Sequence, residues 1–306
     1  IAAANYIGNT LIHGQGAIEG NPSIYLPGAS CVINGQTYSP CSTNANTNQR
    51  RALYLANPVQ GAYYSVIREF NSVNTAHYDG MLLSIQRRRT HGLTVLANYS
   101  WAHCSSDPIA VGGNATGGQL VYPGRRHEER TFCLGTLKHI VNGSAVYELP
   151  GASRSVLRQL TTGWQLSTIL RIQSGDYFTV ASSINTALRS GIGTTRVNQV
   201  LADTYLANKG VNGYLNPAAF AIPALGTWGN ASNYIQGPGI ITITAGLTRT
   251  FKVTESQAVQ FRAEAFNLPN HMNPQNPNTV LNNPNFGKIF GANDPRILQF
   301  ALKYTF

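Results

Sequence analysis

The sequence has 306 residues and a formal net charge of +10, and only 11% of its residues are Asp, Glu, Lys or Arg, against about a quarter in soluble domains. A sequence pI near 9.6 raises nucleic acid as a partner, but the cations are dispersed. The one run, Arg87-Arg88-Arg89, reads as a solvated strand end beside a turn, with no aromatic-and-basic recognition pattern, so nucleic acid is excluded. No stretch reaches the ~18 to 20 apolar residues of a spanning helix, and no basic, apolar, small-residue leader is present, while a mean hydropathy of -0.14 suits alternating barrel strands as well as a soluble fold.

The opening residues IAAANYIGNT already read as a strand, Ala2 to Gly8, so the chain is expected to begin after processing or truncation rather than at a natural start. Next, Met81, Leu83 and Ile85 alternate with Leu82, Ser84 and Gln86; RRTHG makes a turn; and in LTVLANYSW, Leu93, Val95, Ala97, Tyr99 and Trp101 alternate with Thr94, Leu96, Asn98 and Ser100. This is the period of a hairpin with one apolar face. VNGSAVYEL (Val141 to Leu149) and WQLSTILRI (Trp164 to Ile172) form a second pair. Ile241, Ile243, Ala245, Leu247 and Phe251 run into the turn KVTES, after which Val259, Phe261, Ala263 and Ala265 alternate with Gln260, Arg262 and Glu264. The last residues, RILQFALKYTF, set Leu298, Phe300, Leu302, Tyr304 and Phe306 on one face and Gln299, Ala301, Lys303 and Thr305 on the other.

The connections decide between a sandwich and a barrel. Thr10 to Thr75, Cys104 to Gly135, Ser174 to Pro238 and Leu268 to Pro295 are long and alternate strictly with shorter turns, so all long loops leave one end. Loops above ~15 residues are uncommon in compact domains, whereas short periplasmic turns and long external loops are the habit of outer-membrane barrels. The expectation is an all-β, antiparallel outer-membrane barrel portion of about eight strands, spanning residues 1–306 as a single barrel domain or a C-terminal barrel fragment. Leu93, Val95, Tyr99, Trp101, Trp164, Leu166, Leu170, Phe300, Leu302, Tyr304 and Phe306 should then face lipid. Asn98, Ser100, Gln165, Arg171, Gln260, Arg262, Glu264, Gln299 and Lys303 should face the lumen, because a lipid-facing charge at mid-depth costs about 2 to 4 kcal/mol. Arg262 and Glu264, next neighbours on that face, should pair with charges across the lumen.

Two local cysteine pairs, Cys31 with Cys41 and Cys104 with Cys133, suit disulfides in an oxidising compartment. Zinc at His103, Cys104, His127 and Cys133 competes, without CxxC or HxxxH spacing. GxSxG, GxxxxGK[ST], HExxH and an EF-hand loop are all missing, and Glu128 and Glu129 sit among Arg125, Arg126 and Arg130 as a local ion-pair cluster. Neither an enzyme nor a cofactor is expected.

The stretches TNANTNQRRALYLANP, GLTVLANYSWAHCSSD, SAVYELPG, GWQLSTILRIQSGDYFTV, QFRAEAFNLPNHMNPQNPNTVLNNPNFGKI and DPRILQFALKYTF, in that order, closely resemble the C-terminal barrel region of the Oar-like TonB-dependent receptors, whose members carry a carboxypeptidase-regulatory-like domain and are abundant in Acidobacteria. The resemblance implies a bacterial outer-membrane location with long loops outside the cell. It also implies that Phe300, Leu302, Tyr304 and Phe306 form the terminal signal read by the barrel-assembly machinery. Family members have a plug, a TonB-contacting segment and a barrel of about 22 strands with a plugged lumen; no plug or TonB box maps onto these residues. Uptake as part of such a transporter therefore stands beside a structural or adhesive role for a barrel piece that assembles with other chains. The transported ligand is not readable.

The two edge strands would expose unpaired backbone groups. They can close on each other, pair with chains carrying the rest of a receptor, or pair with further copies. Closing about eight strands around Arg171, Arg262, Glu264 and Lys303 would crowd charges into a narrow interior, which ranks pairing with other polypeptide above self-closure. Edges left bare on both sides would refute the barrel.

Overall fold

Period-two alternation with turns at its breaks is converted, in the computed structural model, into one antiparallel meander. The structure describes residues 1–107, 130–133, 135–151, 161–189, 195–230 and 235–306. Its main sheet runs β1 (Ala2–Glu19), β2 (Arg68–Thr90), β3 (Leu93–Ser106), β4 (His139–Glu148), β5 (Trp164–Gln173), β6 (Ile240–Lys252), β7 (Ala258–Phe266) and β8 (Ile297–Thr305), each strand hydrogen-bonded to the next. The short strand Thr131–Phe132 adds to β3. The β2–β3 turn is a two-residue one, with His91 at φ 52° and Gly92 at φ 76°. Two successive positive φ values match the twist of the flanking strands and favour glycine. At the β6–β7 turn the Val253 and Thr254 N–H groups donate to the Gln257 carbonyl.

The first hairpin is longer than the sequence reading expects. β1 does not stop at Gly8 but continues to Glu19, paired with β2 as far as Arg68, so the first long connection is residues 20–67. The missed signal lies at Leu11 to Gln15, where two register shifts and His13 at φ 62° break the alternation. The 18 and 23 residues of β1 and β2 exceed the ~9 to 11 needed to span a bilayer, so this hairpin extends past its neighbours at the loop end. All long connections do leave that end, and the turns leave the other.

The sheet is open. β1 and β8 are its two edges, and among the described residues neither pairs with the other or with a further strand. A closed eight-stranded barrel made by this chain alone is therefore not what forms. Bare edges on both sides are the outcome expected to refute a barrel.

Buried apolar side chains lie in the connections rather than in the sheet. Val180, Val197, Leu215, Ala219, Phe220, Ile235 and Phe286 form one cluster, with Phe178, Tyr205, Tyr214 and Leu281 packed on it. Short two-stranded ribbons hold this cap: Tyr177–Phe178 with Ile235–Gln236, Asn198–Gln199 with Phe220–Ala221, and Ala181–Ser182 with Thr195–Arg196. The first connection joins it where Asn185 Nδ2 donates to Asn44 Oδ1 at 2.8 Å and Ser23 Oγ donates to the Arg189 carbonyl.

Candidate functional site: a two-faced sheet beneath a loop cap

In a sheet, directly paired residues share a face, so the register sorts every side chain. One row runs Ala4, Leu83, Tyr99, Val141, Ile172, Ile241; a second Tyr147, Leu166, Leu247, Ala263, Phe300; a third Trp164, Arg249, Phe261, Leu302. These rows occupy one continuous apolar face, and the residues expected to point outward fall on it, except Phe306, which lies past the end of β8 and outside the register. The opposite face carries Asn98, Asn142, Arg171 and Thr242 in one row, and Ser167, Gly246, Glu264 and Gln299 in another, with Arg262, Gln260 and Lys303 beyond. Every residue expected to point inward falls there. Ile7, Leu96, Ile169, Phe266 and Ile297 are exposed apolar members of this otherwise polar face.

The polar face does not gather its charges. Arg262 lies 3.8 Å from Glu264 of the same strand and donates to Gln260 Oε1 at 3.4 Å, so the pair is made along β7 and not across a lumen. Arg171 is on β5 between Asn142 and Thr242, and Lys303 on β8 is opposite Gln260; the sheet does not bring these two together. Asn142 Nδ2 donates to Asn98 Oδ1 across two strands at 3.2 Å.

Both ends of the apolar face are marked by polar-tipped groups. At the loop end Tyr6 OH donates to Asp79 Oδ1 at 2.5 Å, His77 Nε2 lies 2.9 Å from Asp79 Oδ2, and Thr10 Oγ1 is 3.0 Å from His77 Nδ1. Tyr99 OH is 2.8 Å from His139 Nδ1. At the turn end are Arg87, Trp164, Arg249, Phe251, Phe261, Tyr304 and Phe306. From Asp79 to Arg87 is about eight residues, ~26 Å along the strand or ~20 Å after a ~40° tilt, close to the ~25 Å apolar band of a transmembrane barrel. The sequence reading passed over Arg249, although it holds the period-two place between Leu247 and Phe251.

Two of the segments that carry the family resemblance stitch the cap. In TNANTNQRRALYLANP, Arg50 and Arg51 are fully buried. Arg50 donates to Asn46 Oδ1 at 3.0 Å, to the Thr43 carbonyl at 2.9 Å and to the Ile24 carbonyl. Burial, and then the neighbouring Arg51 charge, lower its pKa below the ordinary arginine value. Arg51 lies 3.4 Å from Glu19, the last residue of β1, and donates to the Asn21 carbonyl at 2.6 Å, which fixes this connection to the hairpin. In the Asn-rich stretch, Asn273 accepts from Ile241 N at 2.8 Å and donates to the Ile241 carbonyl at 2.9 Å, so one side chain replaces a strand partner at the start of β6. Asn267 bonds His271 and Asp294 in the same manner.

Of the cysteines, Cys104 and Cys133 form a disulfide, which removes both thiolates from the zinc alternative. The pairing expected for Cys31 and Cys41 is corrected: both are free thiols. They are neighbours, and burial followed by a hydrogen bond with Cys31 pushes the Cys41 thiol up to about 11, keeping it in the protonated form that does not attack sulfur. His127, Arg125, Arg126, Glu128 and Glu129 lie outside the described residues. Arg130 of that expected cluster donates to Ser105 Oγ and Thr75 Oγ1, at 3.2 and 3.1 Å.

Compared with known families, residues 1–299 match the family described as outer membrane beta barrel domain. A search of curated proteins finds no match. The family match decides in favour of a barrel wall over a soluble sheet.

Proposed function

The chain belongs to the family of outer membrane beta barrel domains, and from that premise we propose that it is the wall and external loop cap of a TonB-dependent outer-membrane receptor that takes part in substrate uptake. One observation carries the reading: apolar and polar residues are sorted to opposite faces while all long connections leave one end. The apolar face then meets lipid. The polar face, with Arg171, Arg262, Glu264 and Lys303, lines the lumen, and the cap stands outside the cell where a ligand would first be met. Phe300, Leu302 and Tyr304, on the apolar face of edge strand β8, serve with Phe306 just past its end as the terminal pattern for the barrel-assembly machinery. The plug and the TonB contact follow from the resemblance alone. No catalytic role is assigned.

The backbone groups along β1 and β8 require partner strands in lipid, and in this reading the remainder of the receptor supplies them. The same bare edges favour a second reading, a structural or adhesive piece that pairs with copies of itself in an oligomer or filament. Sequence encoded upstream of Ile1 separates the two: a plug-coding region supports uptake, and a leader directly before Ile1 supports the structural role. Orientation is tested on intact cells, in a Cys31→Ser, Cys41→Ser background that removes the two free thiols, with a membrane-impermeant maleimide, which should label Tyr63→Cys in the cap, where the native side chain is 87% exposed, and not Glu255→Cys in the β6–β7 turn. Labelling only of the turn position would invert the assignment.

A further inference from the structure

Midway along β4 and β5 the polar face carries an apolar row. Leu96 on β3 stands opposite Ser144, Ser144 opposite Ile169 on β5, and Ile169 opposite Thr244 on β6. Beyond Thr244, Phe266 on β7 continues the row, one step past the Ala245–Ala265 pair, and faces Ile297 on β8. Leu96, Ile169, Phe266 and Ile297 are 46%, 60%, 41% and 48% exposed. Large apolar side chains set in line on a surface that otherwise meets water mark a binding surface.

Two residues along β5 from Ile169, on the same face, is Arg171, between Asn142 and Thr242. It is exposed, and among the described residues no hydrogen bond or ion pair holds it. The carboxylates further down this face are committed elsewhere: Glu264 lies 3.8 Å from Arg262, and Glu148 pairs with Arg89. Glu264 is two strands across and four residues lower, ~16 Å away by strand spacing and rise, outside the ~8 to 10 Å Debye length. The row therefore lies beside one uncompensated positive charge. We propose that this part of the wall binds an amphipathic carboxylate as the transported substrate, its head on the Arg171 fork and its apolar body laid across the strands over Ile169 and Phe266. This rests on the reading of the polar face as the lumen wall of an uptake receptor. A carboxylate matches the planar guanidinium with two parallel bonds, and Ile169 and Phe266, two strand spacings or ~9.6 Å apart, give the body its length. A small inorganic anion would leave the row unused, and a neutral hydrocarbon would leave Arg171 unused.

The test uses the receptor purified in detergent from outer membranes of its native host, with Cys31→Ser and Cys41→Ser removing the free thiols and Ser144→Cys placing a reporter in the row beside Ile169. A water-soluble methanethiosulfonate should modify the reporter, and 1-pyrenebutyrate should slow that reaction. Arg171→Gln should raise the half-protecting concentration of 1-pyrenebutyrate about tenfold and leave that of 1-pyrenebutanol, the same body without the charge, unchanged. Arg171→Lys should keep part of the protection, and Ile169→Asn should weaken both probes. Equal shifts for both probes in Arg171→Gln, or none, would overturn the inference and leave the lumen reading in place. A reporter that reacts with neither a water-soluble nor a lipid-soluble reagent would mean that another part of the receptor covers the row, and would likewise overturn the inference alone. A reporter reached only by a lipid-soluble maleimide would overturn both.

Discussion

Among the described residues, Cys104 is the one buried hydrophobic side chain that belongs to the eight strands of the sheet; the others, from Ile33 to Ile289, lie in the cap and the connections. The sheet instead leaves Phe300 at 69% and Leu302 at 75% exposure. In a water-soluble fold the long strands would enclose the core and the loops would be solvated. Here the loops have a core and the strands have none. A sheet whose inner strands are fully paired and whose apolar side is uncovered depends on a nonpolar surrounding for its stability, whereas the cap buries its own apolar groups and meets water on its outside.

The comparison is most easily broken in the cap. Phe220 is 6% exposed and meets Phe286 edge-on at 5.8 Å. Phe220→Ala should cost the cap about 3 to 5 kcal/mol, seen as faster amide exchange over residues 195–230 with β2 to β5 unchanged. If β2 to β5 loosened equally, sheet and cap would be one cooperative unit. For the sheet, Leu170 faces Gly143 and Ile243 midway between the polar-tipped ends of the apolar face. Leu170→Arg should cost about 2 to 4 kcal/mol in folding from urea into bilayers, while Thr244→Arg on the polar face should cost far less. Equal costs would remove the distinction between the faces.

What the sequence made legible follows the same division. The facing of β3 through β8 could be read because alternation is a local property, and the register preserves it from Leu93 to Phe306. β1 was cut short at Gly8 because His13 to Gly16 offers no alternation; only pairing with Asn71 to Asn74 on β2 makes it strand. The cap was illegible for another reason. Arg50 reads as a surface charge, yet it is buried by carbonyls of Ile24 and Thr43, and a periodicity argument contains no information on such distant acceptors. Cys31 and Cys41 were read as bonded from spacing alone, and spacing brings thiols near each other without joining them.

A smaller effect sharpens the boundary between the two regions. Asn273 is 1% exposed and clamps Ile241 at the first turn of the ladder into β6. Asn273→Ala should cost about 1 to 3 kcal/mol, since the Ile241 N–H and carbonyl lose their partner. Exchange at Ile241 should accelerate, with Leu247 further along β6 protected as before. Fraying that reached Leu247 would mean that the cap holds the sheet.

The smallest effect is one of pH and belongs to the cap alone. Burial, and then the nearby Tyr205, push the Tyr214 phenol from 10.0 up to about 12, while its hydroxyl donates to the Gln236 carbonyl at 3.3 Å. The folded cap therefore favours the protonated phenol. Between pH 10 and about 12 the unfolded chain binds fewer protons than the folded one, so stability falls with rising pH. The contribution is complete below pH 10 and is lost as pH climbs through the folded value. Phenolate absorbance should show a tyrosine ionising late, together with faster exchange at residues 205–215 and steady exchange in β2 to β5. Tyr214→Phe should flatten that dependence. A slope unchanged in Tyr214→Phe would assign the alkaline loss to another group, with Tyr177, also raised by burial and by Tyr205, the next to replace.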